Sequence, residues 1–506
     1  MMNGEFRKSF TIHHSPFITH HSYMLYLILV LFPISMAAST FVLRKNSGLV
    51  IFMALGAVLA EMLIAAQIPL DNPSIFLGIT LTLNALNRMF MLLFLAIGGF
   101  AFVAAWSLPH GENFVPIGLL MLSQVCGVLL LQNPFISTLL LALTGLTAVL
   151  AVVDLPADTS SLVGTQAIAA ALKYLVLMVV AAILMYIAFV LATIFRIGEL
   201  PGRISLAHFI LALLAVSFAL RLALIPFHAW LADLVEHAQP LVAALVITLL
   251  NTSSLLALLV AFQTFPILLT NNQGLLRVMR IGALISALLG AGMALGPGSL
   301  RRAMAYLILY DCGMVFYGLA SVSSIGLTGA IFGALNQTLA VLLILVSVAL
   351  IERPDGRTPG VVRRDLLRRW PVAGAGLLAG GLALVGMPPL GGAMSQLLIY
   401  QAAAENGWPE LLALLGASLL ALLALARTAH ERLLGPSEDD VTPEPLMLGE
   451  TELDRPAPRR LAPEPRSAAA LTLILMLICL TVGIYPGPLL TTIDAAIREL
   501  AFIRAL

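Results

Sequence analysis

The chain has 506 residues, 60% of them hydrophobic and only 10% charged, with 27 basic against 26 acidic side chains. Soluble domains carry roughly 25% charged residues, so this composition excludes a soluble globular enzyme, and with it disordered, collagen-like and disulfide-scaffold proteins. The near-zero balance leaves no basic face for nucleic acid, and Cys126, Cys312 and Cys479 lie in or beside apolar runs, too far apart for a local metal motif.

In chain order, residues 1–22 come first, a polar stretch with His13, His14, His20 and His21. It lacks the pattern of a secretory signal. Its histidines are read as part of a disordered tail rather than as a metal tract, and Met24 stands as an alternative start. Apolar runs then recur near 23–43, 48–68, 82–107, 114–131, 134–153, 168–195 and 206–226. They continue near 241–263, 278–296, 303–321, 325–351, 371–403, 407–427 and 467–489. Runs of about 20 residues can cross a bilayer as helices, and no strand-like alternation argues for a β-barrel. The expected class is all-α: an integral membrane protein of about fourteen transmembrane helices.

Basic residues orient the spans. With Lys173, Arg221 and Arg88 set aside as buried or near-membrane, one side collects 16 Lys and Arg and the other, with both termini, 8. The positive-inside rule then puts both termini outside a cell membrane. It puts the Arg-rich loop 352–370 and the loop 428–466, rich in Pro, Glu and Asp, in the cytoplasm. The first suits a lipid-headgroup or partner contact, or a plain topology anchor. The second has the composition of a segment without fixed structure.

Two spans are interrupted. One carries Arg221-Leu222-Ala223-Leu224-Ile225-Pro226-Phe227-His228, with Asp233, Glu236, His237 and Pro240 beyond; the other carries Gly386-Met387-Pro388-Pro389-Leu390-Gly391-Gly392. Freed backbone at membrane depth is tolerated only against protein or water. Breaks in the seventh and twelfth spans, five helices apart, point to an inverted-repeat transporter with its path at the breaks.

The run LALIPFHAWLADLVEHAQP resembles the broken seventh helix of the antiporter-like membrane subunits of respiratory complex I. Subunits of membrane-bound hydrogenases and multisubunit sodium/proton antiporters share that family. The run RRAMAYLILYDCGMVFYGLA is similar to its tenth helix, 386–392 to its twelfth-helix break, Ala171-Leu172-Lys173-Tyr174 to the start of its sixth helix, and 483–490 to its ending. The Pro388-Pro389 form leans towards the complex I subunit encoded last in bacterial operons. The resemblance implies two inverted five-helix repeats, helices 4–8 and 9–13, within 114–263 and 278–427. They are flanked by helices 1–3 in 23–108, the loop 428–466 and a C-terminal helix and tail in 467–506.

It also implies a row of ionisable residues across the midplane, and here the chain departs from the pattern. Ala142 stands for the fifth-helix Glu, Arg221 for the seventh-helix Lys, Leu250 or Asn251 for the eighth-helix Lys, and Gln396 for the twelfth-helix Lys. Asp311 replaces the tenth-helix His, while Asn336-Gln337 and Val341 stand where the eleventh helix often has His or Lys. Arg cannot be deprotonated in a protein, so Arg221 is a fixed charge rather than a carrier. Glu61 is either a substitute partner for Arg221 or a residue near the outer surface. Lys173, at the expected helix start, is either the family's lysine or an interface anchor. His228 either titrates or bonds freed carbonyls. Asp311, a carboxylate deep in a span, argues for function because such burial costs several kcal/mol.

No nucleotide loop, flavin motif, cysteine cluster or haem pattern is present, so no cofactor or metal is expected. The expected function is a proton-translocating, antiporter-like subunit of a complex I-type NADH:quinone oxidoreductase with a degenerate charge axis, working with other membrane subunits and lipid. The alternatives are a structural subunit that has lost its proton path, and a stand-alone secondary transporter.

Overall fold

The computed structural model describes residues 16–76, 78–131, 133–155, 161–195, 204–270, 272–296, 298–352, 366–434 and 464–500. Helices α1 (Pro16–Val42) and α2 (Ser47–Gln67) lead into a hairpin of β1 (Ser74–Phe76) and β2 (Ile79–Leu81). Then come α3 (Ala85–Ala105), α4 (Phe114–Leu130), α5 (Pro134–Val153), α6 (Ser161–Ile194), α7 (Ile204–Arg221), α8 (Ala229–His237) and α9 (Pro240–Thr264). A short α10 (Ile267–Thr270) precedes α11 (Gln273–Ala294), α12 (Leu300–Ala320) and α13 (Ser324–Ile351). The chain continues with α14 (Leu366–Arg369), α15 (Pro371–Val385), α16 (Gly392–Asn406) and α17 (Trp408–Thr428), which runs into a π-helical turn at Ala429–Leu433. It ends with α18 (Arg466–Ile484) and α19 (Gly487–Glu499).

Eleven of the described helices are long and apolar enough to span a membrane, and Phe114–Leu130, Leu206–Arg221 and Pro371–Val385 are shorter apolar helices. Side chains start several of them. Asn84 accepts from Asn87 N at 2.7 Å, Asn133 from Phe135 N at 3.0 Å just before Pro134, and Ser299 from Arg302 N at 3.2 Å. Such caps satisfy donors that a helix start leaves open.

The fold is the expected all-α class, with one small hairpin added. Ser74 faces Leu81 and Phe76 faces Ile79, and Thr82 N donates to Leu130 O at 3.0 Å, pinning the hairpin to the end of α4. Three residues per strand are too few for an alternation to show in sequence. One correction lies at the N-terminus, where α1 begins at Pro16, inside the expected tail; residues 1–15 lie outside the described residues. So do 353–365 and 435–463, the bulk of the two expected cytoplasmic loops.

Three helices form the interior. The most apolar stretch of α13 is wholly buried and those of α9 and α12 are 89% buried, against 28% for the spans of α1, α17 and α18. The outer helices expose Leu, Ile and Val, as lipid-facing helices do. Between membrane helices association relies on close packing by small residues rather than on the hydrophobic effect. The contact of α11 with α12 shows this: a Cβ at Gly313 would sit 2.5 Å from Ala287 N, and one at Gly290 2.7 Å from Tyr310 N.

Candidate functional site: two broken helices and a buried polar axis

Each break obeys the same backbone logic. Helix α7 stops at Arg221 because Ala223 turns to φ 57° and Pro226 has no N–H to continue the ladder. Leu224 N donates to Ala219 O at 2.9 Å, which closes a Schellman-type turn. Two side chains take up freed groups: Trp230 Nε1 donates to Leu220 O at 2.9 Å, and Ser286 Oγ on α11 accepts from Ile225 N at 3.0 Å.

At the second break Gly386 takes the left-handed position with φ 80°, and Met387 N donates to Leu382 O at 3.0 Å. Here Asn336 Nδ2 on α13 donates to Ala383 O at 2.9 Å and Gln396 Nε2 to Leu384 O at 3.0 Å. The two halves meet so closely that a Cβ at Gly392 would lie 1.9 Å from Ala383 O. Pro226, Pro388 and Pro389 thus all lie in the breaks, and the peptide bonds preceding Pro226 and Pro389 are cis.

Arg221 is 2% exposed, and its guanidinium nitrogens have no hydrogen-bond partner among the described residues. Its electrostatic neighbour is the Tyr174 hydroxyl on α6, which also has no hydrogen bond among the described residues, and the Tyr174 ring lies 5.1 Å from that of Trp230.

Glu61 is completely buried, and it sits on α2, whose main packing partners are α1, α3 and α4. Arg221 belongs to α7, packed chiefly on α6 and α9, so the two charges are not brought together. One acidic residue in a helix of uniform hydropathy does not reveal which neighbour its face meets.

Lys173 is also corrected. Helix α6 starts at Ser161, so this lysine stands twelve residues inside the helix rather than at its start, and its ammonium is ion-paired with Asp233 on α8. His228 is the N-cap residue of α8, with its imidazole against the Pro226 carbonyl and Nδ1 without a partner among the described residues.

The interior helices carry the rest. Asp311 on α12 is 4% exposed and hydrogen-bonded by Gln337 of α13, while Oδ2 has no partner among the described residues. Its neighbour Cys312 accepts from Gln337 Nε2 at 3.2 Å and from Asn251 Nδ2 on α9 at 3.5 Å. Thr252 and Thr338 bond at 2.8 Å one residue further on. The expected positions Asn251, Asp311 and Gln337 therefore meet, in one cluster spanning α9, α12 and α13. Gln396 belongs to a second cluster, in which Tyr400 donates to its Oε1 at 3.0 Å and Ser418 Oγ lies 2.5 Å from Tyr400 and 2.8 Å from Tyr310. A cavity of about 500 Å³ borders this cluster and the second break.

Sequence reading missed three features. Tyr400 and Ser418 belong to the second cluster, and Gln396 and Tyr400, four apart and so on one helix face, were a usable signal. Arg280 pairs with Glu410 at 3.4 Å, and Glu410 accepts from the Tyr317 hydroxyl at 2.5 Å, joining α11, α12 and α17. Arg301 donates to Ala238 O at 2.7 Å and Glu236 O at 3.0 Å while pairing with Glu352, and Arg302 pairs with Glu236. These partners lie 50 or more residues apart, beyond any local pattern. Among the described residues no three His, Cys, Asp or Glu side chains converge on a metal-sized point.

Comparison with known proteins fits this arrangement. The chain is 26% identical over 448 residues to subunit N of an F(420)H(2) dehydrogenase from Methanosarcina mazei, covering 81% of this chain and 83% of that one. It is 29% identical over 367 residues to NADH-quinone oxidoreductase subunit N from Cereibacter sphaeroides, covering 70% and 77%. Among solved structures, a chain of the Mrp complex from Dietzia superposes with a TM-score of 0.77 at 20% identity, over 96% of this chain and 99% of that one. A chain of respiratory complex I from Thermus thermophilus gives 0.73 at 19% identity, over 95% and 99%. Residues 161–421, both broken helices included, match the family described as NADH:quinone oxidoreductase/Mrp antiporter, transmembrane region, and the chain belongs to that family.

Proposed function

We infer that this multi-pass membrane protein is an antiporter-like subunit of a complex I-type assembly and takes part in proton movement driven by redox chemistry on other subunits. Its partners are other membrane subunits, in keeping with its relatives, which are subunits of redox complexes. Residues 114–263 and 278–427 form its two repeats. The basic asymmetry sets both termini outside; a cysteine in 352–370 or 428–466 that reacts with an impermeant thiol reagent outside intact cells would reverse that orientation.

The observation that carries the reading is Asp311. A carboxylate held within the three most buried helices, hydrogen-bonded on one side only, is costly to keep unless it works. Arg221 contributes a permanent positive charge in the first half and does not release its proton. Gln396 and Asn336 orient freed carbonyls instead of carrying protons.

Asp311→Asn keeps shape and hydrogen bonding but removes titration. In assembled complexes with native electron-transfer rate, it is expected to lower the number of protons moved per electron. An unchanged ratio would leave the second reading, a subunit kept for assembly whose path is lost. That reading is favoured by the four family positions at which Ala142, Arg221, Asn251 and Gln396 cannot relay.

A further inference from the structure

The cavity beside the second break has two kinds of wall. Most of the lining is apolar, with Met394, Leu397, Leu419 and Leu422 among it, and Gln396, Tyr400 and Ser418 are its polar side chains. No Lys, Arg, Asp or Glu lines it, so it does not suit a phosphate headgroup or a metal ion. Its volume of about 500 Å³ has ample room for several waters, each needing about 30 Å³ of liquid volume. Behind these polar side chains stands Tyr310, fully buried, whose hydroxyl bonds Ser418 Oγ. Tyr310 immediately precedes Asp311 on α12.

Hydroxyls differ from amides in one useful respect: each oxygen can accept a proton and release another. Ser418 Oγ reaches Tyr310 at 2.8 Å, Tyr400 at 2.5 Å and its own helix carbonyl, Leu414 O, at 3.0 Å, so it can turn among them. Gln396 cannot turn in this way, because its nitrogen is held by Leu384 O and its oxygen stays towards the hydroxyls.

We propose that Tyr400, Ser418 and Tyr310 form a hydroxyl relay that passes protons between water in the cavity at the second helix break and Asp311. The proposal rests on Asp311 being the titrating group of the preceding section. In one passage a hydronium ion in the cavity gives a proton to the Tyr400 or Ser418 oxygen, whose own proton moves on to Tyr310. The Tyr310 proton passes in turn to the Asp311 carboxylate, directly or through one water. Each hydroxyl ends with one proton as it began, the hydronium becomes water, and the carboxylate becomes a carboxylic acid. The competing role for the same cluster is a packing clip between α12, α16 and α17.

The test uses the assembled complex in proteoliposomes, with protons moved per electron compared at equal electron-transfer rate. Ser418→Ala and Tyr400→Phe are expected to lower the ratio to the level of Asp311→Asn, and Ser418→Thr, which keeps a hydroxyl, to restore it. A packing clip would show its loss in assembly or thermal stability and leave the ratio of assembled complexes alone. If Asp311→Asn lowers the ratio and Ser418→Ala and Tyr400→Phe do not, the relay is overturned and the Asp311 reading stands. If none of the three changes it, both fall. Independently, Met394→Cys on the cavity wall should react with a small water-soluble methanethiosulfonate in native membranes. Lack of reaction there would overturn the water-filled cavity.

Discussion

The two broken helices share a backbone solution and differ in what surrounds it. At the first, the left-handed residue is Ala223 and the freed groups are met by Trp230 and Ser286. The nearby charge is Arg221, enclosed without a hydrogen-bonding partner among the described residues. At the second, the left-handed residue is Gly386, the carbonyls are met by the amides of Asn336 and Gln396, and a cluster of hydroxyls opens on a cavity. Interruption of a helix is thus a fixed property of the fold, while protonic character is a separate property added by side chains. In this chain the two breaks carry different side chains: a buried guanidinium beside the first, amides and hydroxyls beside the second.

The sharpest way to break this comparison is Gly392→Ala. A methyl 1.9 Å from Ala383 O must push the two halves of the second broken helix apart and with them the Asn336 contact. A loss of about 3 kcal/mol or more is expected, seen as lost assembly or a lowered thermal midpoint. Arg221→Leu probes the first half. It breaks no protein hydrogen bond among the described residues, so assembly should persist, and if the fixed charge tunes its neighbours the protons moved per electron should fall towards the level of Asp311→Asn. Arg221→Lys should retain part of that ratio; an unchanged ratio in Arg221→Leu would make the residue structural. Smallest is Ser286→Ala, which strands the Ile225 N–H and should cost about 1–3 kcal/mol in thermal stability. No measurable shift would mean that another group takes up that donor.

The backbone breaks were legible because proline and glycine announce themselves: Pro226, Gly386, Pro388 and Pro389 all mark real interruptions. Buried Arg221 and Asp311 were legible for a similar reason, as charges stranded in apolar runs. Illegible were the residues that make the breaks tolerable. Ser286 and Ser418 are serines in membrane helices, where the default is a bond to their own backbone, so nothing in the sequence marks them as partners of another helix. Lys173 was misplaced, and the surroundings of Glu61 stayed unread, because a sequence says little about the direction in which a residue faces. For Lys173 the depth along the helix failed too, since α6 starts seven residues before the apolar run seemed to.

One clamp far from both breaks has mechanical meaning. Arg301, at the start of α12, grips the carbonyls at the end of α8 and is itself held by Glu352 at the end of α13. Ten residues along the same helix is Asp311. At 1.5 Å per residue that carboxylate stands about 15 Å along α12 from the clamp, so the half-helix beyond Pro226 is tied by side-chain contacts, and not only by the chain, to the very helix that carries Asp311.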